Sequence, residues 1–339
     1  MSSDPDRPTL SIVLCMHNGH DFFSDTVRFI EQQPYKDYEI IFVVTSTSTD
    51  GSIEDAEDYC SKNDNCRTVI QTERTRLGGA KNLGIDNAKG KYIWFLDVDD
   101  TQSLDILQRM MKSLESSGAQ TCICNFIYTA DRNPIKKSEV KEDIILTGKM
   151  AVHARSLNLI PVTSWSMIYD LDTIRESGVR FSETMSEDIG FTYRILDHCE
   201  TVCVVPDVLY GYYINPSSFC NTDEDLRGRT ESKAYIGLVE YFPSENSYLM
   251  RRLKLMVMRS FLHMSRQGFK EEIKHEELKS VLSKDLKSTD RFEYWVARHF
   301  PNAYHTTFVL FAKFYYYKPG RAYITNSKQK TLRRISEGR

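Results

Sequence analysis

The chain has 339 residues, 41% of them apolar and 27% charged, with a formal net charge of −3. That content supports one large domain or two, and the slightly acidic balance excludes the basic footprint of a general nucleic-acid binder. Eight cysteines over this length make no disulfide scaffold, and Cys122/Cys124 and Cys199/Cys203 lack paired Cys-x-x-Cys zinc spacing, so buried reduced thiols in a reducing compartment fit better.

The N-terminus (MSSDPDRP) is short and polar and does not read as a signal peptide, and no stretch reaches the length of a membrane span, so a cytoplasmic location is expected. Residues 10–16 (LSIVLCM) form a continuous apolar run, the pattern of a strand buried on both faces. Asn18, Gly19 and His20 follow as a turn, then an amphipathic helix over 21–33. Residues 38–44 (YEIIFVV) predict a second buried strand, closed by the polar run 45–52 with Asp50-Gly51 as turn chemistry. A helix over 53–63 and a short strand over 67–71 come next. Leu77-Gly78-Gly79 then precedes a short helix over 80–88, stopped by Gly90.

The chain turns on residues 91–100, KYIWFLDVDD. An apolar run of β-branched and aromatic residues reads as a buried strand, and it ends in Asp97, Val98, Asp99 and Asp100. Three carboxylates at a strand terminus repel one another, and hard divalent cations such as Mg²⁺ or Mn²⁺ bridge carboxylates to substrate phosphates. Residues two apart on an extended chain share a face, so Asp97 and Asp99 can converge on one ion. The run reads equally as a solvated turn capping the helix that follows.

Strands alternating with helices predict an α/β fold with a mostly parallel sheet, whose ligands sit beyond the carboxyl ends of the strands. Asn18, Ser46, Arg76 and the aspartate run all fall at those ends. Further on, a helix over 104–116, a strand over 121–128, a charged loop or hairpin over 131–143 and a short helix within 162–181 are expected. Ser186 reads as an N-cap with Glu187 and Asp188 in the first helical turn, where acids also simply complement the helix dipole. Two strands, 201–205 and 209–214, flank Pro206-Asp207. From residue 226 the pattern turns helical, with a Met/Leu-rich helix over 248–264 and a charged, solvated one over 271–287. An aromatic stretch at 308–317 runs into a Lys/Arg-rich tail, a pairing that suits either peripheral contact with an anionic membrane or a packed terminal helix with a frayed end.

Three ordered stretches between residues 10 and 218 resemble the family 2 glycosyltransferases of the GT-A fold: LSIVLCMHNG with YKDYEIIFVVTSTSTDGS, GGAKNLGIDNAKGKYIWFLDVDD, and WSMIYDLDTIRESGVRFSETMSEDIGFTYRIL with VLYGYYINPSS. The resemblance implies a GT-A domain over 1–222, with a donor half to about 130 and an acceptor half from about 131, followed by a helical region over 223–339. It implies a metal-dependent, inverting enzyme that moves a sugar from a nucleotide-diphosphate donor, most simply a UDP-sugar, to a saccharide or lipid-linked acceptor in surface polysaccharide synthesis. Asp97 would contact the ribose or sugar, Asp99 with Asp97 would hold Mn²⁺ or Mg²⁺, Lys81 would offset phosphate charge, and Asp188 would be the catalytic base beside Glu187, with Trp165 near the acceptor. Cys15, His17 and Asn18 occupy the donor-side turn after the first strand, and Ser46 stands where the family often places a base-reading aspartate. His17 or Arg76 would supply charge where Met167 and Tyr213 replace the family's usual basic residues. The departures keep a second reading in view, a catalytically weak nucleotide-sugar-binding or scaffolding protein. A nucleotidyltransferase is a third, but CMHNGHDFF lacks the basic residue its first loop would need.

Overall fold

The structure, a computed structural model, describes residues 7–73, 75–136, 140–215, 223–242, 247–282, 287–315 and 320–339. The chain forms two compact units: one comprises Met1–Glu183, Phe191–Ile214 and Gly320–Arg339, the other Thr184–Gly190 and Asn215–Pro319. This division differs from the expected 1–222 domain: the last twenty residues group with the first unit, and Thr184–Gly190 and residues from 215 group with the second.

A nine-stranded sheet builds the first unit. Strands β1 (Leu10–Met16), β2 (Tyr38–Thr45), β3 (Cys66–Gln71) and β4 (Tyr92–Asp97) lie parallel in the order β3-β2-β1-β4. Between them run α1 (His20–Gln32), α2 (Ser52–Ser61) and α3 (Arg76–Asn87). The apolar runs of β1, β2 and β4 are buried along nearly their whole length, as parallel strands covered on both faces require. Beyond β4 come β5 (Thr101–Gln102), α4 (Ile106–Ser117), β6 (Thr121–Thr129), β7 (Ile144–Thr147), α5 (Gly148–Ser156), β8 (Met167–Asp170), α6 (Leu171–Ser177), α7 (Glu187–His198) and β9 (Thr201–Tyr213). β8 is antiparallel between β4 and β6, β9 pairs parallel with β6, and β5 and β7 pair antiparallel with β9. The fold is therefore α/β with a mostly parallel sheet, as expected.

Several elements differ from the sequence reading, each for a local reason. Helix α3 takes in the Gly78-Gly79 pair instead of starting after it, and at Gly79 and Gly84 a Cβ would overlap the Thr75 and Val13 side chains. Gly84 lets the helix lie close on β1, while Gly79 leaves room for the Thr75 side chain at the helix start. The two strands around Pro206-Asp207 are one bulged strand, β9, with register shifts opposite Asn125. The Pro-Asp step is tolerated inside the strand because Arg109 Nε and the Lys141 N–H each donate to the Asp207 carboxylate at 2.7 Å, and Asn125 Nδ2 donates to the Pro206 carbonyl.

The basic tail is not frayed. Its Ala322 bridges Ile127 of β6, the Tyr323 ring stacks on Phe126 at 4.9 Å, and both the N–H and C=O of Ile324 bond the side chain of buried Asn125. Helix α14 (Asn326–Ser336) then buries Leu332 and sets Arg333 on Glu142. The Lys/Arg-rich part of the expected aromatic-and-basic pairing is thus anchored to the first unit. Of the aromatic stretch before it, Tyr316 and Tyr317 lie outside the described residues, as do residues 216–218.

The second unit is helical: α8 (Glu224–Tyr241), α9 (Ser247–Ser260), a 3₁₀ turn (Phe261–His263), α10 (Arg266–Glu272), α11 (Glu276–Leu282), α12 (Ser288–His299) and α13 (Pro301–Tyr315). Leu238, Leu253, Val257, Met258 and Phe269 are fully buried, so the Met/Leu pattern does mark packing. The expected solvated helix over 271–287 is instead broken near His275, and Ile273, Leu278 and Leu282 are buried. No helix among the described residues is long and apolar enough to cross a membrane.

Candidate donor site at the tips of the parallel strands

Asp97 ends β4 in register with Cys15 of β1, so these two residues stand side by side at the strand tips. The next three residues do not share one environment. Asp97 and Asp99 are half-buried, whereas Asp100 keeps only 5% of its surface. Its carboxyl accepts hydrogen bonds from the Tyr210 hydroxyl (2.7 Å) and the Tyr213 N–H (2.9 Å) of β9. Burial pushes Asp100 well above the usual carboxylate range, and the charges of Asp97 and Asp99 push it the same way. These contacts commit Asp100 to β9 and leave Asp97 and Asp99 as the accessible carboxylates of the turn.

The turn is pinned through its backbone. Thr26 Oγ1 donates to the Val98 carbonyl at 2.7 Å, and Arg132 spans the turn, Nε on the Asp99 carbonyl and Nη2 on that of Val98, both at 3.1 Å. The guanidinium also lies 4.7 Å from the centre of the Phe22 ring and reaches Asp25 at 3.4 Å. Arg132 was not anticipated, since nothing in a charged loop sequence marks which residue folds back onto a turn 33 positions earlier.

The loops after β1 and β2 are laced together. Asn18, in the left-handed region at φ 53°, accepts from the Thr49 N–H at 2.9 Å and donates its own N–H to Ser48 Oγ at 3.3 Å. The Gly19 N–H meets Ser52 Oγ and the His20 N–H meets Asp50. Asn18 thereby serves as a loop brace, and His17 beside it is exposed. Ser46 is exposed and bonds the Gln71 carbonyl through its N–H, while Gln71 Nε2 holds the Arg76 carbonyl at 2.9 Å. Arg76, also left-handed at φ 53°, is exposed where α3 begins. The structure therefore groups Cys15, His17, Asn18, Asp97 and Asp99 at the tips of β1 and β4, with Ser46 and Arg76 linked through Gln71 at the tips of β2 and β3.

Two expected site residues lie elsewhere. Lys81 is 2% exposed; its ammonium donates to Ser164 Oγ at 2.9 Å and sits 5.1 Å from the Phe181 ring centre. A cation so enclosed ties α3 to the segment before β8, a structural role instead of the expected phosphate contact. Trp165 is 4% exposed, stacked on Tyr210 at 4.4 Å and edge-on to Phe126 at 4.8 Å, while its carbonyl accepts from Trp94 Nε1. With that little surface left it packs the core and offers no face for a sugar to stack on. Glu187 and Asp188 open α7 in the second unit, Glu187 buried and Asp188 half-buried. Ser186 before them is left-handed at φ 64°, not the extended backbone typical of an N-cap.

Among the described residues no group of three or more His, Cys, Asp or Glu is arranged to hold a metal ion. The donor chemistry of the β4 turn still fits Mg²⁺ or Mn²⁺, which bind through one or two carboxylates and complete their shell with waters and substrate phosphates. Asp97 and Asp99 supply such a pair, since Asp100 is committed to β9.

A model of the family described as Glycosyl transferase family 2 matches residues 11–170. The uncharacterized glycosyltransferase EpsJ of Bacillus subtilis is 28% identical over 239 residues, 67% of this chain and 69% of that protein. Among solved structures, S. aureus TarS 1-349 in complex with UDP-GlcNAc aligns with a TM-score of 0.67 at 18% identity, covering 91% of this chain and 93% of TarS 1-349. A mannosyltransferase from Pyrobaculum calidifontis in complex with GDP-Man and Mn²⁺ aligns at 0.54 and 12% identity, covering 92% and 88%. Sheet order, the carboxylate-tipped fourth strand and these similarities agree: residues 11–170 match the family 2 glycosyltransferases, and the chain carries the GT-A fold.

Proposed function

We propose that this protein is a metal-dependent, inverting glycosyltransferase that uses a UDP-sugar and a saccharide or lipid-linked acceptor. The observation that carries the reading is the β4 turn, in which Asp97 and Asp99 remain partly accessible while their backbone is fixed by Arg132 and Thr26. A pre-set pair of carboxylates at the carboxyl end of a parallel strand suits a diphosphate held through a divalent ion. The bound ion would neutralise charge on the departing diphosphate. Cys15, Asn18, Ser46 and Arg76 border the nucleotide, with Ser46 offering a neutral hydroxyl to the base; the UDP-GlcNAc complex of TarS supports uracil.

Asp188 acts as the base. Its carboxylate takes the proton of an acceptor hydroxyl as that oxygen attacks the anomeric carbon, and the bond to the diphosphate breaks with its electron pair leaving on the diphosphate. Attack from the opposite face inverts the anomeric centre. Glu187, buried beside it, helps orient the acceptor. Replacing Asp188 by Asn is expected to lower transfer by roughly 10²–10⁴-fold with UDP affinity in Mn²⁺ unchanged, read by UDP release and by calorimetry. Near-native turnover in that variant would remove the base assignment. The departures at Met167 and Tyr213, where the family usually carries basic residues, keep a second reading in view, a donor-binding but catalytically weak protein. That reading predicts tight UDP-sugar binding by the native chain with no detectable UDP release in the presence of acceptor saccharides.

A further inference from the structure

Helix α12 turns its acids inward and its aromatic rings outward, the reverse of an ordinary solvated helix. Its two acids are both engaged: Asp290, 4% exposed, takes both nitrogens of the Arg251 fork, and Glu293 is held by Arg259 and the Tyr304 hydroxyl. On the opposite side Phe292, Trp295 and Phe300 are 64%, 47% and 55% exposed. Positions 292, 295 and 299 fall on one helical face, and their rings form a continuous surface. Phe292 stacks on Trp295 at 6.0 Å, Trp295 on His299 at 4.7 Å, and Phe300 meets Trp295 edge-on at 5.9 Å. Exposed Arg291 flanks this stripe on one side, and half-buried Arg298 beside it donates to the Tyr294 hydroxyl at 3.0 Å. Contiguous aromatic surface of this kind is seldom left to water and marks an interaction site.

We propose that α12 is an interfacial helix that docks the protein on an anionic lipid surface, with Phe292, Trp295 and Phe300 entering the headgroup boundary and Arg291 meeting lipid phosphates. Tryptophan and phenylalanine edged by arginine is the composition of helices that lie in a bilayer interface. Charge complementarity singles out lipid: the helix presents no outward acid, so its exposed charge is positive and an anionic bilayer matches it. The site is distinct from the C-terminal tail, whose apolar residues are spent in the first unit.

The chain reports on this face directly, because of its three tryptophans Trp94 and Trp165 are 0% and 4% exposed while Trp295 is 47% exposed. The full-length protein is titrated with phosphatidylcholine vesicles, with and without phosphatidylglycerol, while tryptophan emission and co-sedimentation are followed. The expected result is a blue shift, with quenching by brominated lipid, that requires phosphatidylglycerol. The Trp295→Phe variant should lose the shift yet still sediment. Phe292→Ser with Phe300→Ser should weaken binding by about tenfold or more, and Arg291→Gln by roughly fivefold. Both lie on the surface and should leave the melting temperature unchanged. Four results would overturn the proposal: no emission change in lipid excess, equal binding to neutral vesicles, a full blue shift in Trp295→Phe, or a shift that follows protein concentration without lipid and so reports self-association.

Discussion

The aspartate turn after β4 and the segment after Gly320 are both polar in sequence and both anchored to the far strands of the first unit, β9 in one case and β6 in the other, yet they serve opposite ends. In the turn, one carboxylate of three is driven into the core against Tyr210, and the other two are held partly open by hydrogen bonds to their backbone. In the tail, three apolar residues among many polar ones decide the outcome: Tyr323, Ile324 and Leu332 fill the core, and the charges around them follow. The polarity of a segment therefore does not say whether it faces a ligand or seals a core. What decides is whether its few apolar groups have a complementary hole, or whether its polar groups are held at a strand tip where a ligand can reach them.

The sharpest way to break this contrast is to end the chain at Pro319. The tail reading predicts exposure of Phe126 and an unsatisfied Asn125, a loss of about 3–5 kcal/mol, read as a large fall in the calorimetric melting temperature of the first unit. An unchanged transition would return the tail to a loosely attached extension. Next in size is Arg132→Ala, which removes both clamps on the turn. UDP affinity in Mn²⁺ should fall by about tenfold, the equivalent of one charge-assisted contact, with little change in melting temperature. Lysine, lacking the planar fork, should not restore it. Equal affinity in Arg132→Ala would mean that the turn needs no clamp.

The smallest effect concerns Lys328 of the tail, whose ammonium lies 3.7 Å from the Tyr323 ring centre. Burial, with Arg155 and Arg321 nearby, lowers it to about 7. The folded state then binds this proton more weakly than the unfolded chain does, so between about pH 7 and the ordinary lysine range the unfolded state carries more protons and stability rises with pH. Lys328→Met should flatten that rise relative to the native chain in melting curves from pH 7 to 9. An identical slope in the two proteins would contradict the burial of the ammonium.

These outcomes also mark what was legible in the sequence. The runs LSIVLCM, YEIIFVV and YIWFLD declared β1, β2 and β4 because strands covered on both faces need unbroken apolar stretches. The aspartates after β4 stood out because charge at the end of such a run demands a reason. What could not be read depends on contacts between residues far apart in the chain. Asn125 chooses Ile324 across 199 positions, Tyr210 claims Asp100 across 110, and Ser164 takes Lys81 across 83. Local pattern carries no trace of those choices. Trp165 and Lys81 were assigned to ligands because the resemblance places ligand-binding residues at their positions, and here the core uses both side chains for packing.

The central claim is that the β4 turn is a metal-dependent donor site, and calorimetric titration of UDP into the native chain and Asp99→Asn, each with and without Mn²⁺, tests it most directly. The account predicts that the native chain binds UDP strongly only with Mn²⁺, and that Asp99→Asn loses that metal-dependent gain while its melting temperature is kept. Equal UDP affinity with and without Mn²⁺, or an unchanged Mn²⁺ response in Asp99→Asn, would contradict it.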